Sequence, residues 1–166
     1  MILLFPVLVS LLLFQILEKQ NTNLVSLNCG ANQLSNLDVT VNTSLVSLFC
    51  GINQLTDLDI TQNPLLTYFT CGVNQLANLN LSNNILLDIV RCDSNQLSSI
   101  DVSQNTALTQ FYCENNQLTS LDVSSNNQLY ILHCFSNQLN CLDIKNGNNY
   151  NIYPNGFNAT DNINLT

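Results

Sequence analysis

A mostly β repeat solenoid is the architecture this sequence predicts, and three observations predict it. Cys29, Cys50, Cys71, Cys92, Cys113 and Cys134 follow one another at intervals of 21 residues. An Asn-Gln-Leu triplet keeps the same beat, beginning at Asn32, Asn53, Asn74, Asn95, Asn116 and Asn137. Inside each repeat, apolar residues alternate, as at Leu48 and Cys50 and again at Leu58 and Ile60. A fixed period in the twenties means one coil per repeat, each stacked on the next. Alternation over so few residues marks a short strand with one buried face. Two short parallel strands per 21-residue turn are therefore expected, stacking into two parallel sheets. A helix is disfavoured because Asn, Ser and Thr compete for the backbone and no long 3.6-residue periodicity occurs.

The first segment, residues 1–20, stands outside the repeat. Ile2 to Leu17 is apolar except for Ser10 and Gln15, and the position one period before Asn32 falls in Leu11-Leu12-Leu13. Such a run is short for a bilayer span and suits the core of an export signal. It lacks a preceding Lys or Arg and a following small-residue cleavage site. Two readings stay open, an export signal or anchor and an apolar cap over the first coil.

Residues 21–146 hold six repeats. In 42–62, Leu45, Leu48 and Cys50 should face inward from the first strand, and Leu55, Leu58 and Ile60 from the second half. Adding 21 generates the inward columns, including Leu27, Leu48, Phe69, Val90, Phe111 and Leu132. One coil buries too little to fold by itself, so neighbours must complete its interior. Two Asn columns, Asn32 to Asn137 and Asn21 to Asn126, mark the corners. Their amides are expected to bond unpaired corner backbone and one another. Replacing one by Ala in a middle coil should therefore cost more than a surface change. The tail, 147–166, reads as an atypical last repeat or cap, and as the end of a truncated product or fragment.

The run LxxLxCxxNxLxxLDVSxN resembles a leucine-rich repeat, specifically the 21-residue bacterial class with two nested LxxLxLxxN units, called IRREKO-type. The resemblance covers Asn21 to about Asn146. It implies a leucine-rich-repeat solenoid of the kind found in secreted and surface proteins of the Bacteroidota. Those proteins commonly continue into a Cys-containing cap and a sorting domain, whereas this sequence stops at Thr166.

Composition narrows function by exclusion. Net charge is −8, yet charged residues are only 8% of the chain. Lys19, Arg91 and Lys145 are the three basic residues. They cannot form a phosphate-tracking stripe, which argues against nucleic acid, or a basic patch for anionic lipid. No membrane contact beyond the leader is expected. His133 is the single histidine, and no nucleophile, base and orienting carboxylate come together around it. The sequence therefore predicts neither an enzyme nor a cofactor.

The thiols invite a test of geometry. In-register strands place successive Cys Cα atoms about 4.8 Å apart, with Cβ atoms at similar separation, beyond the roughly 3.8 Å that disulfides prefer. Their side chains also point one way, so six free, buried thiols are expected, acting as small hydrophobes. No spacing supports zinc. Cys141 falls on an outward position and should be exposed.

Two outward columns carry the functional argument. Asp38, Asp59, Asp101, Asp122 and Asp143 share one position, interrupted by Asn80. Carboxylates about 5 Å apart repel by about 0.8 kcal/mol per pair at water's dielectric. This repulsion predicts raised pKa values and a fold that gains stability as pH falls from 8 towards 5. The column reads as a solvated turn edge, with a cation strip as the alternative. The second column varies: Asn28, Phe49, Thr70, Arg91, Tyr112 and His133, beside Ser26, Ser47, Tyr68, Ile89, Gln110 and Ile131. Aromatic and Arg side chains on a rigid sheet are what binding hot spots are made of.

Phe49, Tyr68, Arg91, Tyr112 and His133 are the predicted contact residues. The predicted function is a non-catalytic, exported binding module that meets protein or glycan at the cell surface. The alternative is a rigid spacer or adhesin segment with no dedicated site.

Overall fold

The computed structural model describes residues 21–149, 152 and 156–165; the apolar run 1–20 lies outside them. The chain winds as a stacked series of coils, each of the six repeats contributing one three-residue strand to a common sheet. These are β1 (Ser26–Asn28), β2 (Ser47–Phe49), β3 (Tyr68–Thr70), β4 (Ile89–Arg91), β5 (Gln110–Tyr112) and β7 (Ile131–His133). With the two-residue β9 (Phe157–Asn158) they form a seven-stranded parallel sheet in the order β1-β2-β3-β4-β5-β7-β9. Register repeats the sequence period: Leu48 faces Phe69, and Val90 faces Phe111.

The second half of the coil departs from expectation. Only β6 (Ser120–Asp122) and β8 (Cys141–Asp143) pair there, as a two-stranded sheet. Those two segments share a backbone bond from Val123 N to Asp143 O at 2.9 Å. The earlier coils hold this side through corner ladders and Asp-centred turns instead. Their side chains still face as the alternation requires, with Leu37, Leu58, Val39 and Ile60 buried.

The interior is a single file of apolar columns. Leu45, Leu66, Leu87 and Leu108 are fully buried, as are Leu48, Phe69, Val90, Phe111 and Leu132. The six repeat cysteines are free and buried, and Cys141 is free and exposed. Burial pushes the thiols up, with Cys29 and Cys134 at about 12.

The two Asn ladders turn the corners differently. Asn74 receives the Leu55 N–H on its Oδ1 at 3.0 Å and donates Nδ2 to the carbonyls of Cys50 and Cys71 at 3.1 and 2.9 Å. Asn53, Asn95, Asn116 and Asn137 repeat this scheme. On the other corner Asn84 donates Nδ2 to Ile60 O and Asn63 O, but its buried Oδ1 meets no donor. Each amide therefore bonds backbone of its own or the adjoining coils, and no amide-to-amide chain links the ladder asparagines among the described residues. Beyond the sixth repeat, Asn162 takes the ladder position, with the Leu139 N–H on its Oδ1 and its Nδ2 on Cys134 O, both at 3.0 Å.

The aspartate column corrects the sequence reading. Asp38 Oδ1 accepts the backbone N–H of Thr40 at 2.9 Å and its hydroxyl at 2.6 Å. Asp59 does the same with Thr61. Asp101 and Asp122 accept the N–H of Ser103 and Ser124 at 2.8 Å. These donors hold the carboxyls of Asp38, Asp59, Asp101 and Asp122 below their usual range, against the expected rise. Repulsion between Asp38 and Asp59 is present but is the weakest influence on Asp38. Hydrogen bonds at short range outweigh it because exposed charges are screened by water. Asn80 makes the same turn with Ser82 N at 3.0 Å, so the position serves the backbone and does not require charge.

Candidate interaction face

In β2, β3, β5 and β7 the middle residue is buried in the core and the flanking two face outward, partly exposed. All five predicted contact residues consequently share one face of the seven-stranded sheet. Phe49, Tyr68, Tyr112 and His133 are partly exposed, and Arg91 is exposed.

The face gathers them into two groups. Phe49 and Tyr68 lie with ring centroids 5.1 Å apart and planes tilted by 32°. Two coils on, the Arg91 guanidinium carbon sits 4.4 Å from the Tyr112 ring centroid, a cation–π contact. His133 meets the other side of Tyr112 edge-on, with centroids 5.1 Å apart at 81°. Register explains this grouping, because Arg91, Tyr112 and His133 face one another across successive strands. The ranks around them are polar: Gln110 donates to the Tyr130 hydroxyl at 2.7 Å and accepts from the Tyr112 hydroxyl at 3.1 Å. Side chains held by one another in this way are already ordered, which lowers the entropy cost of meeting a ligand.

Sequence reasoning missed the neighbouring column. The residue after each cysteine runs Gly30, Gly51, Gly72, Asp93, Glu114 and Phe135. Phe135 extends the second group, 6.3 Å from the His133 ring. Glu114 is half-buried, and its Oε2 is shielded from solvent without a hydrogen-bond donor. Burial raises the Glu114 carboxyl; its own backbone N–H is the largest opposing pull, Asp93 adds to the rise, and His133 and Arg91 lower it by less. The change from glycine to bulky or acidic residues at a fixed period was the signal that could have found this column.

The rest of the surface offers little chemistry. A shallow groove of about 260 Å³ on the aspartate face is lined by residues such as Asn80, Ser82, Asp101 and Gln104. Among the described residues no cluster of His, Cys, Asp and Glu could hold a metal ion. Nor is any helix there long and apolar enough to cross a membrane.

No protein-family model matches the sequence, and no curated protein does. Solved structures do match. The functional domain of InlJ from Listeria monocytogenes, which includes a cysteine ladder, is 40% identical over 72% of this chain and 31% of its own, with a TM-score of 0.56. A leucine-rich-repeat protein of Leptospira interrogans is 23% identical over 81% of this chain and 37% of its own, with a TM-score of 0.75. A further match is the LRIM1/APL1C complex, 20% identical over 72% of this chain and 28% of that one, with a TM-score of 0.63. The chain thus spans about a third of the length of the proteins it resembles. Its 21-residue period, its buried cysteine and asparagine columns and these superpositions together make it a leucine-rich-repeat solenoid of the kind seen in bacterial proteins.

Proposed function

We propose that this chain is a protein-binding module whose contact surface is the outward face of the seven-stranded sheet, with Phe49, Tyr68, Arg91, Tyr112 and His133 as its anchors. The observation that carries this reading is the concentration of stacked aromatic and Arg side chains on the positions that vary between coils. The two asparagine ladders, which serve the backbone, keep their residue type. Aromatic and Arg side chains that are partly buried and mutually packed are the groups from which interfaces draw most of their energy. A solenoid of similar fold in the LRIM1/APL1C complex supports a protein as the partner class. Export to the cell surface is supported by the apolar run from Ile2 to Leu17. The nested 21-residue spacing supports membership of the IRREKO-type class of the Bacteroidota.

Cys141, the exposed thiol on the two-stranded side, provides a labelling point remote from the face. The biotin-labelled chain would be applied to a panel of purified extracellular protein domains and to a glycan array. The expected result is protein binding that falls at least tenfold in Tyr112→Ala and in Arg91→Ala while circular dichroism is unchanged. Binding confined to glycans would overturn the partner class. Equal binding by both variants would remove the face from consideration, and no binding to either panel would leave a spacer.

A further inference from the structure

The strand face is divided along its length. In the first three coils the position after the cysteine is glycine, where the neighbouring coil approaches too closely for a side chain. A Cβ on Gly51 would stand 2.9 Å from the Gly72 carbonyl oxygen, and one on Gly30 would stand 3.2 Å from that of Gly51. This strip is bordered on one side by the Phe49–Tyr68 pair. The other border is the next position in the chain, where every coil takes a left-handed backbone, with φ of 58° at Ile52 and 57° at Val73.

Those two residues are out of place for folding. A left-handed φ costs an L-residue about 1–2 kcal/mol and suits Asn, Asp or Gly far better than a β-branched side chain. The later coils follow that preference in part, with Ser94, Asn115 and Ser136 at the same position. Ile52 and Val73 stand outside the buried core, 59% and 47% exposed. Strain held by an exposed apolar residue points to a role outside the fold.

The glycine strip ends in acid. The Asp93 carboxylate leans over Gly72, with Oδ1 2.5 Å from the place a Cβ would occupy. Glu114 follows one coil on, with its Oε2 undonated. Arg91 rests on the Tyr112 ring and is the smallest influence on Glu114. With a net charge of −8 and three basic residues, the chain itself is poor in groups to complete these carboxylates. A cation supplied by a partner would meet the undonated Glu114 oxygen with the Asp93 charge beside it. Coils stack at about 4.8 Å, so Gly51 lies about 10 Å from Asp93, the length of three extended residues at about 3.3 Å each.

We propose that the strand face receives an extended segment of a partner protein, apolar over Phe49, Tyr68, Ile52 and Val73 and carrying a Lys or Arg at Asp93 and Glu114, three or four residues away. This rests on the reading of the strand face as the contact surface and names the chemistry of what it binds.

The test is a random seven-residue peptide library displayed on phage and selected on the full chain tethered through Cys141. Enriched peptides should pair an aromatic or aliphatic residue with a Lys or Arg three or four positions off. Their binding should fall at least tenfold in the Asp93→Asn, Glu114→Gln double variant, and at least threefold in Ile52→Ser and Val73→Ser. The two Ser variants relieve strain, so their melting temperature should hold or rise while binding drops; a purely structural role would move stability instead. Acidic or neutral peptides that are lost in Tyr112→Ala would overturn this proposal and leave the strand face as the contact surface. Peptides indifferent to Tyr112→Ala and to the acid substitutions would overturn both. A library without enrichment would overturn the extended segment alone, since the protein panel judges the face independently.

Discussion

The strand face and the aspartate face share one interior and one repeat, yet their outward side chains behave oppositely. On the aspartate face Asp38, Asp59, Asp101 and Asp122 each close a turn on the N–H two residues ahead, and Asn80 substitutes without altering the bond. On the strand face the same period yields Phe49, Thr70, Arg91, Tyr112 and His133 in successive coils. The contrast teaches that uniformity here belongs to positions employed by the backbone. Where the backbone asks nothing of a side chain, because sheet bonds already satisfy it, the residue type is free to follow a ligand. Alignment of residues in a solenoid is thus a guide to structure, and departure from alignment is a guide to recognition.

The largest expected effect concerns what both faces stand on. In Asn74→Ala the Leu55 N–H loses its acceptor inside the coil, a loss worth about 1–3 kcal/mol. In Asn84→Ala the Ile60 and Asn63 carbonyls lose one donor each but keep the N–H of Asn63 and of Leu66, and an undonated Oδ1 is removed. Urea unfolding should therefore show Asn74→Ala as the more destabilised by about 1–2 kcal/mol. Equal losses would mean that the two corners are energetically alike.

The faces themselves separate by readout. Tyr112→Ala should cut partner affinity at least tenfold, about 1.4 kcal/mol or more, with stability changed by less. Asp101→Ala should do the reverse, lowering the melting temperature slightly and leaving affinity intact, because capping-type bonds in turns are exposed here. A loss of binding in Asp101→Ala would merge the two faces into one surface.

Acid sharpens the comparison further. The carboxyls of Asp38, Asp59, Asp101 and Asp122 lie below their ordinary range in the fold. A depressed acid stabilises at pH above its unfolded value, near 3.9, and that contribution is lost as pH falls through the folded value. The aspartate face should therefore lower the melting temperature below about pH 4, instead of raising it between pH 8 and 5. Glu114 on the strand face has the opposite sign. Its raised carboxyl disfavours the fold while charged, and stability returns as pH falls through the folded value towards that of the unfolded chain. Asp93, Arg91 and His133 act on it, and the titratable Tyr112, Cys92, Cys113 and Cys134 also lie around it. Calorimetry of Glu114→Gln should show a small gain at pH 7 that shrinks below the ordinary glutamate range; a gain independent of pH would place the effect in packing.

Much of this was legible because a repeat reads itself six times. The inward columns of Leu48, Phe69 and Val90, the buried thiols and the exposed Cys141 follow from alternation and period alone. So does the common face of Phe49, Tyr68, Arg91, Tyr112 and His133, since a period of two fixes which way a strand residue points. Three matters were settled only by packing. Whether the second half of a coil pairs as a strand depends on backbone spacing between coils, and Ser120–Asp122 with Cys141–Asp143 alone achieves it. Whether an Asp feels its like-charged neighbour or its own turn depends on donor distances of 2.6 to 2.9 Å that no spacing rule supplies. Whether Glu114 is a solvated charge or a shielded, undonated oxygen depends on what Asp93, Arg91 and His133 do around it in three dimensions. Periodicity determines direction because covalent geometry transmits it along the chain; hydrogen bonding and electrostatics are decided by distances across coils, which exist only once the chain has wound.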